Sequence, residues 1–395
     1  MSSNRSPVPA PEPIPTFELL SGGTTAFARI LDRIALARRS IVIRCFEWRD
    51  DDTGQSVARA LLAAADRGVE VTILKDRLGG FYEHLVATKQ SLFHKEIEFG
   101  ARWQLWGLMM FYRRWGSLRQ TPSALVEALT RHPKVRLVID KRFDHAKLFV
   151  FDEHTIILGG MGIGDDFRDV NVDFMVEIAG GDAVERLADR YAGRARFDAQ
   201  RTFDFLLHSS DGHARTGESL AAQRLALIAA ARKRLTIAMA YLGDPASTEA
   251  LCQAVRRGVS VTLLTGAQAA VGADLNLFTC AKILRRTGSP ENLRLVLHPT
   301  MVHGKVIVGD GEWVDLGSTN FTRLSHHGYE ELNVFSRDPA FARQVEHAIE
   351  QEIGAASPAR LPLDYRLWRL GFEVLITSIQ TGRPKARRLN RPSTT

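Results

Sequence analysis

Cysteine is scarce in this chain of 395 residues: Cys45, Cys252 and Cys280 are scattered and lack CxxC spacing. So odd and sparse a set argues against a disulfide framework and a cysteine-built zinc site, and buried thiols in a reducing compartment are expected. Long uncharged apolar runs are missing as well, so no segment is predicted to cross a membrane. Apart from His145 and His303, the histidines show no metal-ligand spacing with acidic partners; the adjacent His326 and His327 read as a loop at a cleft mouth. No metal and no cofactor is predicted. The N-terminus, SSNRSPVPAPEPIPT, lacks the apolar core of a signal peptide and reads as a disordered Pro-rich leader over 1–16. RGG-type or aromatic–basic repeats suited to single-stranded nucleic acid are also absent.

What is present is the composition of a folded soluble protein, 45% hydrophobic and 25% charged. A chain of this length outgrows one ordinary core, so two domains are expected. The formal net charge of +7 favours anionic partners, phospholipid surface and nucleic acid alike. The default expectation is a cytoplasmic protein that touches a membrane, its oligomeric state left open.

The chain repeats itself once. Residues 28–74 read as helix, strand, loop, helix, strand (ARILDRIALARRS, IVIRCFEW, GQSVARALLAAADRG, VEVTIL), and 220–264 read the same way (LAAQRLALIAAARKR, LTIAMAYL, STEALCQAVRRG, VSVTLL). Gly68 and Gly258 fit the left-handed position just past a helix, before a β-branched run that fits a buried strand. A matching strand pair follows in each half, at 135–160 and 293–318. The two RGV triplets are 190 residues apart and His145 and His303 are 158 apart, so the first half carries about 32 more residues, within 80–125. The expected domains are 17–205 and 206–360, followed by an extension over 361–395.

Each repeat contains His-x-Lys-x4-Asp: His145, Lys147 and Asp152, then His303, Lys305 and Asp310. A single copy is a weak signal, because lone His and Lys residues are common on strand edges. Two copies at equivalent positions, with His and Lys disposed toward one face, are a strong one. Beyond each Asp lies a small-residue turn, Gly159-Gly160 and Gly317-Ser318, and then an acid. Asp173 follows Gly162 by 11 residues, as Glu331 follows Asn320, with Glu330 a close competitor. Each acid is expected to accept a hydrogen bond from the histidine of its own half, fixing its tautomer for nucleophilic or acid–base work. The alternative is a pair of surface-strand carboxylates.

These residues resemble the duplicated signature of the phospholipase D superfamily, and the words around them resemble bacterial cardiolipin synthases. FEWRDDDTG with RGVEVTILKD and GGMGIGDDF with DFMVEIAG are similar to the family's first half; GSTNFT with EELNVF is similar to its second. The resemblance spans roughly 20–350. It implies an α/β fold of two phospholipase D-like domains, each a mixed β-sheet flanked by helices, related by a pseudo-twofold axis with one active site between them. It also implies a two-step, metal-independent reaction: His145 attacks phosphorus to form a phosphohistidine, while His303 serves as acid and then base. Lys147 and Lys305 would hold the phosphate oxygens. Ser318 and Asn320 would add hydrogen bonds there, with Gly160 as the first half's substrate-side residue. Asp152 and Asp310 are expected to be structural. Two departures stand out: Gly162 replaces the family's usual Asn, and the residues after Asn320 lack an Arg-Ser pair common in cardiolipin synthases.

Two segments bear on the partner. WQLWGLMMFYRRW (103–115) suits an element dipping into lipid headgroups, or a helix buried against the first domain. After Pro362, Leu363, Leu367, Leu370 and Val374 recur at helical spacing ahead of the basic tail GRPKARRLNR. That pattern fits attachment to anionic lipid, or a helix folded back on the core. The expected function is phosphatidyl transfer between phospholipids, or their hydrolysis, by a peripheral protein on the inner face of the cytoplasmic membrane. The alternatives are a nuclease using the same two histidines and, least favoured, a non-catalytic scaffold.

Overall fold

The computed structural model describes residues 14–84, 91–93, 106, 110, 123–209, 216–269 and 271–381. The leader up to residue 13, most of the 103–115 element and the basic tail lie outside these residues; Trp106 and Met110 of that element are half exposed.

Seven strands build the first sheet: β1 (Thr16–Ser21), β2 (Ser40–Cys45), β3 (Glu70–Asp76), β4 (Val135–Asp140), β5 (Leu148–Phe151), β6 (Thr155–Gly159) and β7 (Phe174–Ala179). They lie in the order β1-β7-β6-β5-β2-β3-β4. The second sheet comprises β8 (Phe203–His208), β9 (Arg234–Met239), β10 (Ser260–Gly266), β11 (Leu293–His298), β12 (Lys305–Gly309), β13 (Trp313–Gly317), β14 (Glu331–Ser336) and β15 (Ser357–Pro358). Its order β8-β14-β13-β12-β9-β10-β11, with β15 added at the edge, repeats the first strand for strand. Parallel pairs (β2 with β3, β3 with β4, and their counterparts) and antiparallel ones coexist in each, so both sheets are mixed. Strand β8 pairs along its whole length with β14, so the second sheet takes up the chain at Phe203, ahead of the boundary expected at 206.

The helices Asp52–Asp66 and Pro245–Arg256 each end at the RG pair. Gly68 (φ 97°) and Gly258 (φ 87°) adopt the left-handed turn that starts the next strand, where a β-carbon is strained. The sheets share one core: Leu148, Leu158 and Val176 of the first pack in the same cluster as Val306, Leu316 and Val334 of the second. Two further apolar clusters lie between each sheet and its own helices. All three cysteines are buried and unpaired. No helix among the described residues is long and apolar enough to cross a membrane.

Candidate active site

Each histidine sits just ahead of the strand that follows its half's three parallel strands. His145 precedes β5 and His303 precedes β12, and both line one cleft of about 980 Å³, a volume that includes space open to solvent. The main chain holds them across the domain boundary. The N–H of His145 donates to the Glu330 carbonyl at 2.8 Å, and that of His303 to the Val172 carbonyl at 2.7 Å. Short parallel bridges, Asp144 to Glu330 and Val172 to Val302, tie the same segments together.

This lacing decides which acid meets which imidazole. The expected pairing of each histidine with the acid of its own half is not what forms: His145 Nδ1 lies 3.1 Å from Glu331 Oε2, and His303 Nδ1 lies 2.6 Å from Asp173 Oδ2. Each acid directly follows the residue bridged to the opposite half, so it is delivered to the other domain's histidine. Glu330, the neighbouring candidate, turns the other way and lies 3.9 Å from Arg44, which also pairs with Asp144 at 2.9 Å.

The lysines fold back symmetrically. Lys147 Nζ donates to the His145 carbonyl at 2.6 Å, and Lys305 Nζ to the His303 carbonyl. Lys305 Nζ also stands 3.0 and 3.2 Å from the two ring nitrogens of His303. Burial pushes Lys147 down to about 8 and Lys305 to about 7; the nearby carboxylates, led by Glu331 and Asp173 respectively, oppose that fall. Burial, helped by Lys305, lowers His303 to about 4 against the pull of Asp173. His145 is lowered for the same reasons, burial first and Lys147 next, with Glu331 opposing. The free site is therefore a strained cluster of cations and imidazoles that an anion would relieve.

The remaining sequence-derived residues divide by role. Asp152 and Asp310 face away from the cleft: each carboxylate accepts from three successive backbone N–H groups, Arg38 to Ser40 and Arg232 to Arg234. Both sit at positive φ (51° and 57°), which Asp tolerates better than most residues. Gly160 is needed for space, since a β-carbon there would stand 2.3 Å from Asp173 Oδ1. Its counterpart Ser318 is fully buried; its hydroxyl donates to Glu331 and accepts from the Leu332 N–H, so it steadies the acid instead of facing a phosphate. Asn320 lines the cleft, and its buried Oδ1 has no hydrogen-bond partner among the described residues.

Sequence reading passed over the aromatic residues. Tyr329 stacks on His145 (centroids 5.1 Å apart, planes 17°) and Phe167 meets His303 edge-on at 5.2 Å, each ring contributed by the opposite half. The hydroxyl of Tyr329 lies 3.4 Å from that of Tyr82, another cleft residue. Tyr329 stands two residues before Glu331, so a ring beside the acid was the available signal. Glu373, from the helix Leu367–Thr381, reaches the same cleft and accepts from the Leu275 N–H at 2.8 Å.

Two stacked, laced α/β halves sharing one His/Lys cleft define a phospholipase D-fold enzyme. The family model described as "Cardiolipin synthase, PLD-like domain" matches residues 30–193 and 225–353, and the chain belongs to that family. Among curated proteins, the chain is 26% identical to cardiolipin synthase A of Pseudomonas entomophila over 362 residues, 86% of this chain and 68% of that protein. It is 25% identical to cardiolipin synthase A of Pseudomonas fluorescens, over 90% of this chain and 73% of that protein. Among solved structures, the phosphatidylserine synthase of Haemophilus influenzae shares the fold at 13% identity, with a TM-score of 0.64 over 93% of this chain and 95% of that one.

Proposed function

We infer that this enzyme transfers phosphatidyl groups between phospholipids through a phosphohistidine. The observation that carries the reading is the reciprocal pairing, in which each imidazole of one cleft has Nδ1 bonded to a carboxylate of the opposite half, so that Nε2 is the nitrogen assigned to the chemistry; at His303 that nitrogen lies 3.2 Å from Lys305 Nζ. His145 Nε2 attacks phosphorus, the bond to the departing headgroup oxygen breaks, and His303, protonated once the bound phosphate's negative charge favours the imidazolium, gives that oxygen its proton. An incoming alcohol then yields its proton to His303, its oxygen bonds to phosphorus, and the P–N bond breaks. Lys147, Lys305 and Asn320 take the non-bridging oxygens, and the lysine charges offset the charge gathering in the transition state. The carboxylates stabilise each imidazolium as it forms.

Similarity to cardiolipin synthase A across most of the chain supports phosphatidylglycerol as both donor and acceptor. The helix Leu367–Thr381 supports work at a lipid surface: Glu373 reaches the cleft, while Leu367, Trp368, Val374 and Leu375 are exposed. The test supplies phosphatidylglycerol vesicles to purified protein in the presence of a chelator. Release of glycerol with formation of cardiolipin is expected, together with a trapped phosphoryl group on His145. Activity abolished by chelation, or turnover of DNA in place of lipid, would overturn the reading.

A further inference from the structure

Beyond the two histidines, the cleft contains a pair of residues related by the same pseudosymmetry. Glu47 and Tyr241 each stand two residues past the end of equivalent strands, β2 and β9, and both line the cleft. Each is held at its flanking peptides by a buried polar device. In the second half, one side chain suffices: Asn276 Nδ2 donates to the Ala240 carbonyl at 2.7 Å, and its Oδ1 accepts from the Leu242 N–H at 2.9 Å. In the first half an ion pair performs both tasks. Lys75 Nζ donates to the Phe46 carbonyl at 2.5 Å, Glu83 Oε1 accepts from the Trp48 N–H at 2.5 Å, and the two charges meet at 2.9 Å. Both side chains are 0% exposed. Burying two charges costs desolvation energy that a neutral amide avoids, so the pair is a costly way to fix one loop residue.

The residue so fixed is a carboxylate. Arg49, itself bonded to Asp166 at 2.6 Å, holds Glu47 Oε2 at 3.1 Å, while Oε1 accepts no hydrogen bond among the described residues. The Glu47 carbonyl also accepts from the Ile163 N–H at 3.0 Å, tying it to the turn that contains Gly162. That turn has no room for the Asn usual in the family. A β-carbon at 162 would lie 2.7 Å from the Phe167 ring and 3.2 Å from Glu47 Cβ. The two walls of the cleft thus differ: Asn320 on one side, and a carboxylate with a phenyl ring on the other. Burial would raise the Glu47 carboxyl, but Arg49, then His303 and Lys147, outweigh it and keep it low and ionised.

An ionised carboxylate repels phosphate and accepts hydrogen bonds, so it suits the uncharged, hydroxyl-bearing part of a substrate. We propose that Glu47 forms a polyol subsite, its Oε1 accepting a hydrogen bond from a non-reacting hydroxyl of the alcohol headgroup that enters or leaves. The proposal rests on the phosphatidyl-transfer reading above and adds to it the residue that positions and selects the polyol headgroup. Glu47 is a positioning residue for that alcohol, and no proton transfer is assigned to it.

The test measures incorporation of labelled glycerol, ethanolamine and 1-butanol into phosphatidylglycerol vesicles by wild type, Glu47→Gln and Glu47→Asp. Ratios are taken within each variant, so a general loss of activity cancels. The wild type should prefer glycerol to 1-butanol, and Glu47→Gln should lower that ratio about tenfold, the scale of one hydrogen bond to a charged group. Glu47→Asp, which shortens the side chain and keeps the charge, should fall between. An unchanged glycerol-to-butanol ratio in variants that still transfer lipid would overturn this subsite alone. A selective loss of ethanolamine would overturn the polyol assignment in favour of an ammonium. Absence of any lipid turnover by the wild type would overturn the parent reading with it.

Discussion

At the residue scale, Asp173 and Glu331 act as tautomer locks for histidines they do not neighbour in sequence. Asp173→Asn and Glu331→Gln should each lower kcat by about 10–100-fold, the usual effect of losing a carboxylate behind a working imidazole. Because Asp173 raises the pKa of His303 against burial, its loss should drive that value further down, which an NMR titration of the ring would show. The lysines set a second expectation. Burial depresses both, so each is charged only below its lowered value: about 7 for Lys305 and about 8 for Lys147. Raising the pH through that window removes the charges proposed to hold phosphate, so kcat/KM should fall on the alkaline side. Lys305→Arg should move that limb upward, because a guanidinium keeps its proton. An alkaline limb unmoved by Lys305→Arg would exclude Lys305 as its source.

Elements explain what the sequence disclosed and what it concealed. The duplicated His-x-Lys-x4-Asp words were legible because polar residues at matched strand ends stand out against an apolar repeat. The partner of each histidine was not, since each acid lies 28 residues past the histidine of its own half whichever imidazole it meets; only the bridges at Glu330 and Val172 decide the pairing. Glu330 and Glu331 were likewise equivalent until the strand's phase was known, because adjacent strand residues point to opposite faces. Glu47 was not singled out, since the Lys75–Glu83 brace beneath it has no motif. On the C-terminal helix, Glu373 is buried at the cleft while Leu367, Trp368, Val374 and Leu375 are exposed. Leu367→Ser with Trp368→Ser should weaken sedimentation with anionic vesicles several-fold, as removing two apolar anchors from an interfacial helix does. Turnover of a short-chain, monomeric phospholipid should persist in that variant. Equal loss on both substrates would mean that the helix serves folding, not docking.

For the whole molecule, the shared core makes the halves one cooperative unit. Leu316, fully buried, sits among side chains from both sheets. Leu316→Ala should cost about 2–5 kcal/mol by leaving a cavity. The loss should appear as a single shifted unfolding transition by tryptophan fluorescence and circular dichroism alike. Two separated transitions, one unshifted, would show that the halves unfold independently. The fold class and its doubling were readable because β-branched runs and RG turns recur in register. The start of the second sheet at Phe203 was not, because β8 is recognised only by its pairing with β14.

The crossed acids also bear on how such an enzyme reaches its working state. With each imidazole oriented by a residue of the opposite half, a chain in which only one half has matured contains no crippled version of the site; it contains none at all. The proposed chemistry thereby requires both halves of the one cooperative unit, and a nascent or damaged chain lacks the site outright instead of working badly.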